Sequence, residues 1–376
     1  MFLKGINLTV MIGPGEPIPV PQAVLDALTS VEVHSKSDGP SGFQLKFTID
    51  KNSPLNVLFM IGSGVQIPLM RVVLYITMNG STTVLIDGVM TDHQISPGSS
   101  SESPTITITG EDMTRVMDYI DFTGIPYPCM PPELRVLAIL AKYAFLGVIP
   151  MVIPSIMLDV PIPIDRIPLH QGTDLSYVKK LADDVGYTFF VKPGPAPGTS
   201  VAYWGPDIKV GVPQPALNID MDAHTNIESL SFSLNNDAST LPLVYIQEQF
   251  SKAPIVIPIP PVTPLNPPLG AIQSIPKQFP IIDGGSKLTP IQAVLIGLAK
   301  AAKQADGVSA SGSLDVLRYG NILSARGLVW VRGAGIAFDG LYYVSSVTHS
   351  MKRGEYKQSF TLSRNGLVST VPEVAA

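Results

Sequence analysis

Two consecutive segments near the C-terminal end alternate in chemistry with a period of two. Few packed chains can do this without forming an antiparallel hairpin. In Asp339 to Leu367 (DGLYYVSSVTHSMKRGEYKQSFTLSRNGL), Tyr343, Val347 and His349 alternate with Tyr342, Val344 and Thr348. Lys352-Arg353-Gly354 supplies a turn, and Tyr356, Phe360 and Leu362 then alternate with Lys357, Thr361 and Ser363. Successive residues of a strand point to opposite faces, so the pattern predicts a hairpin with two dissimilar faces.

The same period recurs earlier. Phe43, Leu45, Phe47 and Ile49 alternate with polar residues, Arg71 to Thr77 is β-rich, and Thr105 to Thr109 alternates threonine with isoleucine. A β-barrel or sandwich is the natural outcome, followed by a helical turn over Thr114 to Ile120 and closing near Pro126.

Helix signals follow. Pro132 suits a first helical position, Glu133 the first turn, and Leu134, Leu137, Ala138, Ala141 and Phe145 mark one face before Gly147. A second helix starts with Thr173 as N-cap and Asp174 in its first turn. It buries Leu175, Val178, Ala182 and Val185 and stops at Gly186, ahead of a strand from Tyr187 to Lys192. Strands resume from Val201, through Ile227 to Leu234 and Leu243 to Gln247.

From Ala253 to Pro290 prolines crowd the chain, among them Pro254, Pro258, Pro264 and Pro276. They remove ladder donors, which predicts an extended, loop-like insertion: an arm along a neighbouring subunit, or a surface decoration. Thr289-Pro290-Ile291-Gln292 then reads as a capping box opening a helix that ends at Gly307.

Charged residues make up only 15% of the 376, against roughly 25% in an average soluble protein. With a mean hydropathy of +0.29, permanent interfaces are the expected way to cover the surface. The most apolar run, Tyr143 to Leu158, is shorter than the ~20 residues of a spanning helix and contains Pro150 and Pro154, so no transmembrane segment is predicted. The N-terminal stretch lacks an h-region and cleavage site, which argues against classical secretion. Cys129 is the single cysteine, excluding an internal disulfide, and is read as a buried thiol. At net charge −5 no Lys/Arg cluster marks a stable nucleic-acid footprint.

Chemistry is hard to find. His34, His93, His170, His224 and His349 are scattered without metal-ligand spacing. Gly307-Val308-Ser309-Ala310-Ser311 misses the second glycine of a nucleophile elbow and reads as a linker. Gly333-Ala334-Gly335 lacks the third glycine of a dinucleotide loop and reads as a turn between strands. Glu111 with Asp112, and Asp183 with Asp184, are adjacent pairs that diverge instead of facing across a glycosidic bond. No catalytic, metal or cofactor residue is predicted, and the chain is read as a non-enzyme.

The final hairpin, with its Tyr-Tyr-Val strand, its histidine and its Tyr-x-x-x-Phe strand ending in Arg, resembles the C-terminal signature of late-control-D-type baseplate hub proteins of contractile phage tails and injection systems. Gly110-Glu111-Asp112-Met113 resembles that family's Thr-Gly-Glu-Asp junction, and Arg166 to Val191 its internal helix-strand unit. The resemblance implies an α+β chain with two tube-protein-like antiparallel β-barrels. The first would occupy residues 1–126, an α/β domain 127–205, the second barrel 206–252 and 312–376, and the proline-rich insertion with its helix 253–311. The echo between Ile86-Asp87-Gly88 and Phe338-Asp339-Gly340 fits two related barrels.

It further implies a homotrimeric, pseudo-sixfold ring assembled in the cytoplasm, contacting the inner tube protein and other baseplate components. Because the chain ends at Ala376 with no OB-like module, a separate trimeric spike protein is expected. The signature residues Tyr342, Tyr343, His349, Tyr356, Phe360 and Arg364 are expected to be structural. A particle-borne cell-wall hydrolase and a carbohydrate-binding surface protein are the alternatives.

Overall fold

In a computed structural model the described residues are 2–3, 5–48, 69–98, 103–155, 167–235, 241–247, 254–259, 263–273, 275–282, 294, 296–298, 301 and 306–371. The chain is mostly strand. Its first part supplies β1 (Ile6–Pro14), β2 (Leu28–Lys36), β3 (Gly42–Thr48), β4 (Met70–Met78), β5 (Ser81–Ser96) and β6 (Thr105–Asp112). Helix α1 (Pro132–Ala141), β7 (Val148–Val152), α2 (Asp174–Asp184), β8 (Thr188–Pro193) and β9 (Ser200–Gly205) follow. The last part supplies β10 (Gln214–Asn218), β11 (Ser229–Leu234), β12 (Val308–Asp315), β13 (Leu328–Arg332), β14 (Gly340–Lys352) and β15 (Glu355–Arg364).

The pairing shows a repeat. The first six strands lie in the order β1-β4-β5-β6-β3-β2, and the last six in the order β10-β13-β14-β15-β12-β11. Position for position, the two orders are the same: first, fourth, fifth, sixth, third, second. They differ at one margin, where β1 meets β4 antiparallel but β10 meets β13 parallel. Neither order closes into a barrel among the described residues.

The two units are fused into one sheet. Ser346–Lys352 of β14 pair antiparallel with Lys36–Ser30 of β2, while the first residues of β14 pair with β13. Between these partners lies a β-bulge: Val344 faces Leu362 and Ser346 faces Thr361, leaving Ser345 as the extra residue. Its carbonyl accepts from the Ser37 N–H at 2.8 Å, tying the bulge to the end of β2.

The bulge corrects the expected face assignment. An extra residue reverses the alternation, so Tyr342 and Val344 share the core side with Val347 and His349, whereas Tyr343 packs on the opposite side with Leu269, Leu328 and Leu341. One apolar cluster runs through both units, containing Phe43 and Leu45 of β3 as well as Phe360 and Leu362 of β15.

Aromatic-over-glycine pairing recurs in both units between the third and sixth strands. Phe43 is paired with Gly110, and Phe360 with Gly312. A methyl group on Gly312 would lie 2.7 Å from the Phe360 ring, and one on Gly110 2.3 Å from Phe43. Only glycine leaves room for the ring to lie across the partner strand.

Helices α1 and α2 cover the sheet β8-β9-β7 around Val136, Ile139, Tyr177, Val178 and Trp204. Buried Arg71 anchors this layer to the first unit. It makes two hydrogen bonds to the Asp87 carboxylate, at 2.8 and 2.7 Å, and donates to the Gly198 carbonyl at 2.8 Å. The Asp174 carboxylate, fully buried at the start of α2, accepts from Tyr143 Oη and Lys142 Nζ, both at 2.6 Å.

Four other expectations are corrected. The buried side of α1 is Val136, Ile139 and Leu140, while Leu134, Leu137 and Phe145 are exposed, Phe145 by 79%. The helix carries two apolar stripes, and periodicity alone does not say which one packs. Cys129 is exposed, in a left-handed turn (φ 56°). Ser309 to Ser311 belong to strand β12 and not to a linker.

The proline-rich segment is not merely extended. Pro254–Pro258 pairs with Leu243–Gln247, which also pairs with Ile281–Ile282, and Val244, Ile259 and Ala301 form a small core. Pro254 and Pro258 sit on the edge strand, where a missing N–H costs nothing. The capping box at Thr289 to Gln292 falls outside the described residues; the helix it was to open is seen at Val294, Ile296–Leu298 and Ala301.

Candidate functional site

The signature residues divide by task. Tyr356 and Phe360 point into the shared core from β15, at 1% and 3% exposure. His349 opposes Gln358 across the hairpin and is buried. Its Nδ1 lies 2.7 Å from Tyr356 Oη and 3.2 Å from Gln358 Nε2. Gln358 is held by the Leu323 backbone, accepting from its N–H and donating to its carbonyl. The amide nitrogen is therefore the atom facing His349, Nδ1 is an acceptor, and the proton of the neutral ring sits on Nε2. Burial, with the positive charge of His34 second, pushes the His349 pKa down to about 3.

Arg364 is fully buried without a carboxylate partner. It donates to the carbonyls of Gly366, Asp339 and Ala337, at 2.7, 2.9 and 2.8 Å, and stacks 4.4 Å over the Tyr342 ring. It thus pins the turn before β14 to the end of β15. Tyr343 stands apart from these, on the other side of the sheet. Gln358, Gly312 and the bulge at Ser345 belong to the same construction; their residue types alone did not single them out.

Away from the apolar patches around Tyr343 and Val89, the other side of the fused sheet is polar. In register across β11-β12-β15-β14-β2-β3-β6-β5, rows of small hydroxyl and amide side chains stand beside one another. One row runs Ser231, Ser311, Thr361, Ser346. Another runs Ser229, Ser313, Ser359, Thr348 and continues to His34 of β2. Gln44, Thr109 and Asp92 carry the pattern over the first unit. Ser229 and Ser313 hydroxyls lie 2.8 Å apart, Ser231 and Ser311 3.0 Å, and His34 Nδ1 and Thr348 Oγ1 bridge the seam at 2.8 Å.

Charge on this face is mixed. Lys36, Lys46, Lys352 and Lys357 are offset by Glu32, Asp92, Glu228 and Glu355, with Lys357 bridging Glu228 at 2.8 Å and Glu355 at 3.5 Å. The sequence displayed the signal as Ser-x-Ser-x-Ser in both β11 and β12. What it hid was that these strands align with threonine strands far away in the chain.

Among the described residues no group of three or more His, Cys, Asp or Glu could hold a metal ion. Nor is any described helix long and apolar enough to cross a membrane.

This architecture is the fold of phage tail proteins. The chain superposes on the tail protein from Neisseria meningitidis with a TM-score of 0.62 at 13% identity, over 97% of this chain and 98% of that one. It matches the 43 kDa tail protein of prophage MuSo2 from Shewanella oneidensis with a TM-score of 0.62 at 12% identity, covering 96% and 98%. An E. coli component of the type VI secretion system, itself described as similar to bacteriophage T4 tail proteins, aligns with a TM-score of 0.51 at 13% identity, covering 92% and 76%. No family model and no curated protein matches the sequence.

Proposed function

We propose that the chain is a structural subunit of the baseplate hub of a contractile phage-tail-like particle. Three copies close into a ring, and two β units per copy give that ring six near-equivalent parts. Such a ring matches a threefold spike, made by a separate protein, to a sixfold inner tube whose assembly it starts. The role is mechanical and needs no catalytic residue.

The observation that carries this reading is the pair of β units with one strand order, fused through β2 and the C-terminal part of β14 and sharing one polar face. A repeated unit is what converts threefold into pseudo-sixfold symmetry. The hydroxyl rows suit the wall of a bore, being hydrated, nearly balanced in charge and free of apolar side chains to which cargo would stick. Exposed Leu134, Leu137 and Phe145 are the kind of surface that a permanent assembly covers. The fold shared with tail proteins along nearly the whole chain supports the same context.

The test is electron microscopy of particles from cells lacking the gene, together with mass photometry of the purified chain alone and with its spike. Absent or sheathless particles, and a threefold ring with the spike, are expected. Normal particles that fail only to breach the target envelope would move the assignment to the hydrolase or the binder.

A further inference from the structure

A cleft of about 240 Å³ opens where the first unit, the second unit and the sheet β8-β9-β7 meet. Lys192 of β8 lies at its rim, Arg326 and Ser324 come from the loop before β13, and His349, Ser35, Thr82 and Thr83 complete the polar lining. No carboxylate lines it.

The donors around it have spare hydrogen-bonding capacity. Arg326 is fixed by a left-handed backbone (φ 63°) and by stacking 4.1 Å over the Phe190 ring, yet its Nε is buried with no hydrogen-bond partner. Asp112, Asp38 and Asp207 act on its charge through space but line neighbouring clefts. Lys192 has no ion-pair partner among the described residues. His349 is 3% exposed, and with Nδ1 occupied by Tyr356 and Gln358 its proton is on Nε2, for which no described residue is an acceptor. Two cations, an imidazole N–H and four hydroxyls, with no carboxylate in the lining itself, form a wall rich in donors.

We propose that this cleft binds a small oxyanion, a phosphate or a carboxylate group. The guanidinium and the ammonium supply charge-assisted hydrogen bonds, and the Ser35, Thr82, Thr83 and Ser324 hydroxyls complete the shell. The bound anion touches all three parts of the subunit and holds them in one arrangement. This inference does not depend on the hub assignment.

The experiment is isothermal titration of the full chain with inorganic phosphate and, separately, with succinate, at constant ionic strength. Saturable one-to-one binding is expected, weakened at least tenfold by Lys192→Gln and by Arg326→Gln. Lys192 is exposed, so its variant keeps the test valid if the arginine variant fails to fold. Tighter phosphate binding assigns the phosphate class, and tighter succinate binding the carboxylate class. No saturable heat with either anion, or unchanged affinity in Lys192→Gln, overturns the proposal.

Discussion

His349 shows how one buried side chain sets a condition on the whole fold. Its neutral ring is held by Tyr356 and Gln358, and burial pushes its pKa down to about 3 in the folded chain. In the unfolded chain a histidine takes its proton near pH 6.5. Between these values the unfolded state binds one more proton, so stability falls as the pH drops, by about 1.4 kcal/mol per unit at full slope. Denaturant titrations from pH 7.5 to 4.5 are expected to show a shallower slope in His349→Gln than in the wild type; the variant keeps the contribution of buried His170, whose pKa burial also lowers. Equal slopes would mean that the ring is not buried neutral. Gly312→Ala places a methyl group against Phe360 and the Ser229 carbonyl, and is expected to cost about 1–3 kcal/mol, read as a lowered melting temperature. Phe360→Ala empties the same spot and is expected to cost about 3–5 kcal/mol while weakening ring formation; unchanged stability and rings would refute its core role.

At the scale of elements, α1 offers a contrast between two apolar stripes. Ile139→Ala is expected to cost about 2–5 kcal/mol, because Ile139 is buried against β7 to β9, whereas Leu134→Ala should stay within about 0.5 kcal/mol in the isolated chain. Reversed values would restore the face read from the sequence. That misreading is instructive. Leu134, Leu137, Ala138, Ala141 and Phe145 follow helical spacing well, but Val136, Ile139 and Leu140 follow it too, and only tertiary packing chooses between them. The hairpin from Gly340 to Arg364 was legible because side-chain alternation is local. The reversal at Tyr343 was not, because a one-residue bulge leaves no mark on residue type. Deleting Ser345 removes that residue and forces Tyr342 and Val344 out of the core. Insoluble or unfolded protein is the expected result, and a native-like circular dichroism spectrum and melting temperature would contradict it. Tyr356, Phe360 and His349 are buried together, and the partners that hold them, Gln358 and Gly312, carry no distinctive chemistry of their own. Likewise the edge position that makes Pro254 and Pro258 harmless is decided by strand order, which a run of prolines does not reveal.

The large sheet holds two copies of one topology, with the α/β layer and the proline-rich segment set around it, and the echo of Asp87-Gly88 in Asp339-Gly340 is a faint match to that repeat in the sequence. Asp87 and Gly88 lie within the fifth strand of the first unit, and Gly340 opens the fifth strand of the second with Asp339 just before it. If the hydroxyl face lines a bore, substitutions there should be silent for folding. The double variant Ser231→Asp, Ser311→Asp is expected to melt within a few degrees of the wild type and to form the same ring in mass photometry, while ejecting cargo at an altered rate. Loss of the ring instead would make that face a subunit interface.

The seam between β2 and β14 has a mechanical consequence. Backbone hydrogen bonds, not a linker, join the two units, and the Ser37–Ser345 bond and the His34–Thr348 bridge brace the join. In the proposed ring each subunit would then be one stiff segment. Widening of the bore would be taken up at three joints rather than six, and the ring would open in the manner of a three-jawed chuck.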